Sequence, residues 1–251
     1  KFTKIKNNIS FENLNFRNLD FTNYNQIRSF IFKKNFYQNN NKYIESFDFL
    51  NYSKNLGGEI GITLSRKSIF AWFEINKNKM NYPWSQDLTS KRLRNLLYNY
   101  EFINSSSNIN ESRMLNKIIY IHMRRVMYDF NNKKINQITS FDIISYLLSY
   151  KILKNKFFEE IDFIELVVLN KIDSLSVHKS YNIIEHAKFL NNLNEMKAIY
   201  LFFDKKISNK IEEIIVKMTS VLNQYFHLDG SIPLFNGSIP SSGKSLKSVF
   251  L

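Results

Sequence analysis

The longest stretch without glycine is the feature that most constrains the fold of this 251-residue chain. All six glycines lie outside residues 62–229, and Pro83 is the only proline within that interval. Because Gly and Pro most often interrupt regular structure, such a stretch favours helices joined by short polar links. It also excludes glycine-rich phosphate-binding loops there, and the chain contains neither a G-x-G-x-x-G nor a G-x-x-x-x-G-K-[ST] motif.

Apolar residues recur at helical spacing throughout this interval. The clearest stripe predicts a helix over 208–226, and a second predicts one over 111–130. Between 141 and 153 apolar residues occupy nearly every side, which predicts a helix covered on most faces. Further helices are predicted at 64–76, 86–103, 157–171, 180–192 and 194–205. The short links between the helices indicate antiparallel neighbours, as in a bundle or a toroid of helical hairpins.

The two ends differ from this helical body. Residues 1–60 are rich in Asn and Phe without a clear period, so we expect an irregular segment there. Residues 229–251 contain three of the six glycines and two of the three prolines, which predicts an extended tail. The sequence therefore predicts a mainly all-α domain over 61–228 between two irregular ends. The apolar finish at 249–251 leads us to expect that another domain follows.

Charge and composition narrow the function classes only in part. The net charge of +13 would attract polyanions such as acidic polysaccharide, nucleic acid or anionic lipid. The abundance of Asn, Lys, Ile, Phe and Tyr is also what an A+T-rich genome encodes, so the charge alone selects no partner. The absence of cysteine excludes disulfides, Cys-ligated metals and thiol nucleophiles. No apolar run approaches the ~20 residues of a membrane span.

Four histidines are candidates for chemistry. His122 lies on the apolar stripe of its helix, which predicts a core residue. His178 and His186 are eight residues apart, unlike the H-E-x-x-H spacing, so no metal site is expected. His186 and its neighbour Glu185 are predicted to face solvent on a helix, and His227 lies at a helix end. His178 stands in a polar link before a helix, where a side chain can reach a ligand.

Aromatic residues make up 16% of the chain. Most of them lie at helical spacing and are predicted to pack in the core. Trp84, Tyr150 and Tyr181 are alternative candidates for lining a sugar-binding cleft, because sugar rings stack on aromatic faces.

Two segments resemble signatures of heparinase II/III-like proteins. Residues 227–238 read HLDGSIPLFNGS, which is similar to the family pattern D-G-x-x-P-L-F-N-[GD]. Residues 171–182 read KIDSLSVHKSYN, which resembles the pattern Q-I-x-x-D-G-x-H-x-S-R-N-P. Matches in the second segment fall at His178, Ser180 and Asn182, whereas the Asp-Gly pair and the Arg of the pattern are replaced.

A third, upstream pattern extends the resemblance to residues 70–240. Trp72, the pair Pro83-Trp84, and Arg92 follow the W-x(n)-P-W-x(n)-R-[LI] order of the family. The family resemblance implies an incomplete (α/α) toroid of antiparallel hairpins, followed by a β-sandwich domain. Residues 229–251 would then be the linker toward that further domain.

The resemblance also implies a function. Heparinase II/III-like proteins are polysaccharide lyases, which cleave uronic-acid-containing chains by β-elimination. We therefore expect the full protein to be such an enzyme, with an acidic polysaccharide as partner and no cofactor. The resemblance implies the periplasm or cell envelope as its location, and the cytoplasm stays open as an alternative. The family further implies a catalytic Tyr near the D-G-x-x-P-L-F-N signature, where Tyr225 is the nearest, and a catalytic His in the β-sandwich.

Five residues make up the site that the resemblance implies. His178 is the candidate for neutralising the uronate carboxylate or for acid–base catalysis. Lys179, Tyr181, Asn182 and Trp84 are the candidates for binding the substrate.

Two other function classes remain open from the sequence. One is a non-catalytic helical module that binds acidic glycans or a protein partner. The other is a helical nucleic-acid binder, which we do not expect because the chain has no RNP-type motif, zinc-finger pattern or basic-region heptad.

Overall fold

The structure is a computed structural model that describes residues 42–79, 82–132, 134–156, 158, 161–227, 231–233 and 236. These residues form ten α-helices and no strand, which confirms the mainly all-α class. The helices are α1 (Lys42–Glu45), α2 (Phe49–Leu56), α3 (Gly58–Asn76), α4 (Gln86–Tyr98), α5 (Tyr100–Asn104), α6 (Ile109–Asn131), α7 (Ser140–Lys154), α8 (Ile161–Leu169), α9 (Ile183–Phe202) and α10 (Asn209–Gln224). None of these helices is long and apolar enough to cross a membrane.

The chain divides into two compact units. Within the described ranges, the first unit holds α1 to α6 and the part of α7 from residue 145 onward. The second unit holds residues 134–144, α8, the 170–182 segment, α9 and α10. The domain boundaries expected at residues 60 and 228 stay predictions.

In the first unit, α2 and α3 form a tight helical pair. Helix α2 ends before Gly57, whose left-handed φ of 68° is not helical, and α3 begins at the next residue. A Cβ atom at Gly61 would lie 2.2 Å from the carbonyl oxygen of Ser53, so the two backbones approach as closely as glycine permits.

Helix α6 shows how the sequence sets an element and its orientation. Its start is fixed by a capping box, in which Asn108 accepts from the Glu111 backbone and Glu111 accepts from the Asn108 backbone. One face of α6 is fully buried, from Leu115 through His122 to Val126. The periodic stripe that predicted this helix is therefore its core-facing side.

Three helices agree with their predicted bounds to within two residues at each end. These are the helices predicted at 111–130, 141–153 and 208–226, which are α6, α7 and α10. The (α/α) toroid arrangement remains a prediction. Most of the expected extended tail lies outside the described residues.

Three predicted features are wrong in the described part of the chain. Residues 42–60 are helical rather than irregular, because α1, α2 and the start of α3 lie there. The helix predicted at 86–103 divides at Asn99, whose side-chain amide donates to the Asn95 carbonyl 2.9 Å away. The helices predicted at 180–192 and 194–205 are one helix, α9. Asn192 is a buried residue in the middle of α9, and its side-chain amide donates to Ser140 Oγ at 2.7 Å. This polar residue is therefore part of the helix and does not end it.

Candidate functional site

A tight loop between α8 and α9 carries the predicted site residues. We call residues 171–182 the His178 loop. Asp173 closes it, because one carboxylate oxygen accepts from the backbone N–H groups of Leu175 and Val177, both at 2.9 Å. Ile172 and His178 form an antiparallel bridge across it. The link that the sequence predicted as polar is thus folded on itself, and it holds His178 in a defined place.

The ring of His178 is held through one nitrogen. Ser180 Oγ lies 2.8 Å from His178 Nδ1, and the Ser180 backbone N–H donates to the same Nδ1 at 3.3 Å. Ser180 Oγ also accepts from the backbone N–H of Asn182 at 3.2 Å. A backbone N–H can only donate, so these contacts favour the neutral form in which Nδ1 accepts and the ring proton is on Nε2.

The other nitrogen of this ring is available. Among the described residues, none hydrogen-bonds to His178 Nε2. The ring is half-buried and lies 5.5 Å, between centroids, from the ring of Phe189. Burial lowers the pKa of His178; nearby Glu185 opposes this shift, whereas His186 and Lys171 add to it. Within the described part of the chain, the ring thus has one nitrogen, Nε2, that no other group occupies.

His186 is buried beneath the His178 loop and contacts it, so the prediction that His186 faces solvent is wrong. It is 2% exposed, whereas its neighbour Glu185 is exposed as predicted. Its Nδ1 accepts from the backbone N–H of His178 at 3.2 Å, and its Nε2 lies 2.9 Å from the carbonyl oxygen of Met218 in α10. The partner on α10 is 32 residues away in the chain, so helical periodicity alone could not reveal this role.

Asn182 joins the two segments that carry the family resemblance. Its side-chain oxygen caps α9 by accepting from the backbone N–H groups of Ile184 and Glu185. Its amide nitrogen donates to the carbonyl oxygen of Asn236 at 2.8 Å. The Asn236 amide donates back to the carbonyl oxygen of Tyr181, also at 2.8 Å. The two matched segments, 54 residues apart, are therefore connected by a reciprocal pair of hydrogen bonds.

The remaining predicted binding residues of this loop are exposed. Tyr181 is 53% exposed and has a left-handed φ of 51°, which directs the chain into α9. Lys179 is exposed, and its ammonium donates to the carbonyl oxygen of Asn170 at 3.1 Å. His178, Lys179, Tyr181 and Asn182 thus lie together on one short loop, and their predicted roles stay predictions.

Trp84 belongs to the first unit and is a core residue. It is 6% exposed, and its indole N–H donates to the carbonyl oxygen of Asn76 at 2.7 Å. Its ring lies 5.5 Å from that of Trp72 and 4.9 Å from that of His122. These contacts are those of packing, and they leave little ring surface for a sugar. The substrate-binding role predicted for Trp84 gains no support from its surroundings.

Trp84 is part of a buried cluster around Arg92 that the sequence did not reveal as a unit. The Arg92 guanidinium lies 4.2 Å from the centre of the Trp72 ring, in a cation–π contact. It also donates hydrogen bonds to His122 Nε2 at 3.0 Å and to the carbonyl oxygen of Glu45 at 2.6 Å. Burial lowers the pKa of Arg92 to about 9, so it stays charged at neutral pH. The W-P-W-R order of the sequence was its only signal, and Glu45 lies in the segment that was expected to be irregular.

His122 is fully buried, as its place on the apolar stripe predicted. It accepts from Arg92 through Nε2, and its Nδ1 lies 2.9 Å from the carbonyl oxygen of Ile118. Burial, together with the charge of Arg92, lowers the pKa of His122 to about 3. His227 is exposed and lies just beyond the end of α10.

No family model matches this chain, and the comparisons with curated proteins and with solved structures found no similar protein. Among the described residues, no three His, Asp or Glu side chains come together in a way that could hold a metal ion.

Proposed function

We propose that this chain is the helical part of a polysaccharide lyase that acts on uronic-acid-containing chains, with the His178 loop as the place where the uronate carboxylate is held. The proposal extends the family resemblance, including a β-sandwich that follows and a periplasmic or cell-envelope location. The observation that carries it is the Nε2 of His178, which has no hydrogen-bond partner among the described residues and which the contacts of Ser180 favour as the protonated ring nitrogen.

A fixed donor suits the first requirement of β-elimination. The reaction removes a proton from the carbon next to the carboxylate, a bond to the leaving oxygen breaks, and that oxygen takes up a proton. A hydrogen bond to the carboxylate spreads its charge and stabilises the carbanion-like transition state, most strongly where water is partly excluded. The half-buried His178 meets that condition. With its proton on Nε2, the ring is a hydrogen-bond donor and not a base at that atom.

The surroundings of His178 favour an acidic sugar. Lys171 is close enough to affect the pKa of His178, and Lys179 is exposed on the same loop. Positive charge raises the local concentration of a polyanion. Tyr181 offers an exposed ring beside them for the face of a sugar.

The test is turnover of the full protein on polygalacturonate, alginate, hyaluronan and heparin, followed by the ultraviolet absorbance of the unsaturated uronate product. We expect His178→Ala to lower turnover by about 10²–10³-fold, the effect of removing one positioned donor. His227→Ala is the matched control, because His227 is exposed and its ring has no hydrogen-bond partner among the described residues. Full activity of His178→Ala at an unchanged KM would refute the assignment.

A second function is favoured by one observation. Among the described residues, no carboxylate, Tyr or Lys side chain hydrogen-bonds to the ring of His178 or to Ser180 Oγ. A donor without a base fits a non-catalytic module that binds acidic glycans. Binding of a uronate chain that His178→Ala weakens, without any unsaturated product from the full protein, would select this alternative.

A further inference from the structure

A row of cations lies along the outer face of α6. Arg113, Lys117 and Arg124 are all exposed. At 3.6 residues per turn they fall within an arc of about 40°, on the side opposite the buried stripe through His122. At a rise of 1.5 Å per residue the row is about 16 Å long. We call these three residues the α6 row.

The arginines of the α6 row differ from the other arginines in the described part of the chain, because the others have a partner within the protein. Six arginines lie there, and four have a partner within the protein. These four are Arg66 with Glu111, Arg92 with His122, Arg94 with the ring of Tyr98, and Arg125 with Asp129. For Arg113 and Arg124 the described residues supply no hydrogen bond or ion pair, and both belong to the α6 row.

The α6 row also carries a local electrostatic cost. Arg113 and Lys117 are four residues apart, and like charges at that spacing destabilise a helix. The acidic residues of α6, Glu111 and Asp129, are paired with Arg66 and Arg125 and do not neutralise the row. Three exposed cations on one line, with no ion pair among the described residues, are therefore suited to an external anion.

We infer that the α6 row is a second binding surface for an acidic polysaccharide, separate from the His178 loop. The guanidinium fork of arginine matches carboxylate and sulfate groups through paired hydrogen bonds. Neighbouring cations of the row are about 6 and 10 Å apart along the helix. Charges on a uronate chain, one for every one or two sugars, are likewise several ångströms apart.

An exposed aromatic residue lies in line with the row. Tyr128 is 65% exposed and follows Arg124 by one turn of α6. Its ring gives a sugar face a surface to stack on, next to a cation that holds the acid group. The choice of polysaccharide over nucleic acid rests on the proposed function, but the surface itself does not depend on His178.

The experiment compares two triple variants of the full chain. The first, Arg113→Gln/Lys117→Gln/Arg124→Gln, removes the α6 row. The control, Lys79→Gln/Lys205→Gln/Lys217→Gln, removes three exposed charges elsewhere. Binding to polygalacturonate, hyaluronan, heparin and a DNA oligonucleotide is measured by titration at several salt concentrations, after circular dichroism has shown native helix content.

We expect the row variant to bind the polysaccharides roughly tenfold more weakly at low salt, with the control close to wild type. The slope of log K against log salt should fall by about two, as for the loss of three ionic contacts. Equal losses in both variants would mean that only net charge matters and would overturn the inference. So would a loss confined to DNA. His178→Ala leaves the α6 row intact. If only this variant binds the polysaccharides more weakly, the result supports the His178 loop as a binding site and refutes the α6 row as one.

Discussion

At His178 one residue, Ser180, favours one position of the ring proton through its backbone N–H and its hydroxyl. Its backbone N–H and its hydroxyl both lie at Nδ1, so the neutral ring with Nε2–H is the favoured form. The chemistry available to the loop therefore depends on a residue that would not itself touch a substrate. Ser180 is a positioning residue in the proposed function.

Removing the Ser180 hydroxyl should change the titration of His178. In Ser180→Ala the neutral Nε2–H form loses one hydrogen bond, so we expect a higher pKa for His178 and a larger share of the Nδ1–H tautomer. Ser180→Thr keeps the hydroxyl and should restore both. The measurement is the ¹⁵N chemical shift of the two imidazole nitrogens as a function of pH, which needs no substrate.

Ser174→Ala is the control, because Ser174 is exposed in the same loop. If Ser180→Ala and Ser174→Ala leave the nitrogen shifts of His178 equally unchanged, the Ser180 hydroxyl does not affect the tautomer.

Among the elements, the α2–α3 pair depends on one glycine. Helix propensity alone would make Gly61→Ala stabilising by about 1 kcal/mol. The added Cβ would meet the carbonyl oxygen of Ser53 at 2.2 Å and the Phe102 ring at 3.2 Å, and a carbonyl of a helix cannot move without its neighbours. We expect the steric term to win, with a loss of about 1–3 kcal/mol in the free energy of unfolding.

The check is urea denaturation of Gly61→Ala beside Ile60→Ala. Ile60 is the preceding residue of α3 and is 71% exposed, so its truncation should change stability by less than about 0.5 kcal/mol. An unchanged or raised midpoint in Gly61→Ala would show that the two helices can separate without cost.

Element by element, the sequence predicted what depends on local periodicity. Helices α6 and α10 have a clear apolar stripe, and their bounds were predicted within two residues. Helices α1 and α2 were missed because they are short and gain their stability from contacts far along the chain, such as Trp72 Nε1 donating to Glu45 at 2.9 Å. Helix α9 was wrongly predicted as two helices, because the sequence does not show whether an Asn such as Asn192 is buried or exposed to solvent.

The same limit applies to the candidate site. The polar link before a helix indicated that His178 could reach a ligand, and the structure places it on an ordered loop. The buried position of His186 depends on a carbonyl group in α10, and the Asn182–Asn236 pair joins residues 54 positions apart. No spacing rule contains such contacts. Trp84 was predicted to line a cleft because an aromatic ring can pack in a core or against a sugar, and the sequence pattern is the same in both cases.

At the scale of the whole molecule, three histidines respond to burial in the same direction. The pKa values of His122, His178 and His186 are all lowered in the folded protein. The unfolded chain, with ordinary histidine pKa values near 6.5, therefore binds more protons than the folded chain once the pH falls below that value. The free energy of unfolding must then decrease as the pH decreases.

His122 should dominate this acid sensitivity because it is fully buried and its pKa is about 3. Between about pH 6.5 and pH 3 it should contribute a loss of up to ~1.4 kcal/mol per pH unit. Urea denaturation at pH 7.5, 6, 5 and 4 measures this slope. The intrinsic fluorescence is a direct probe, since both tryptophans of the chain, Trp72 and Trp84, have their rings within 6.0 Å of the His122 ring.

The control variant is His122→Gln, whose side-chain oxygen can accept from Arg92 but cannot titrate. It should be less stable at pH 7.5, because it leaves space in the core, and it should lose stability more slowly on acidification. Carboxylates that titrate below about pH 5 affect both proteins alike, so the difference between the two slopes isolates His122. Parallel slopes for the wild type and His122→Gln would mean that the acid sensitivity arises elsewhere in the chain.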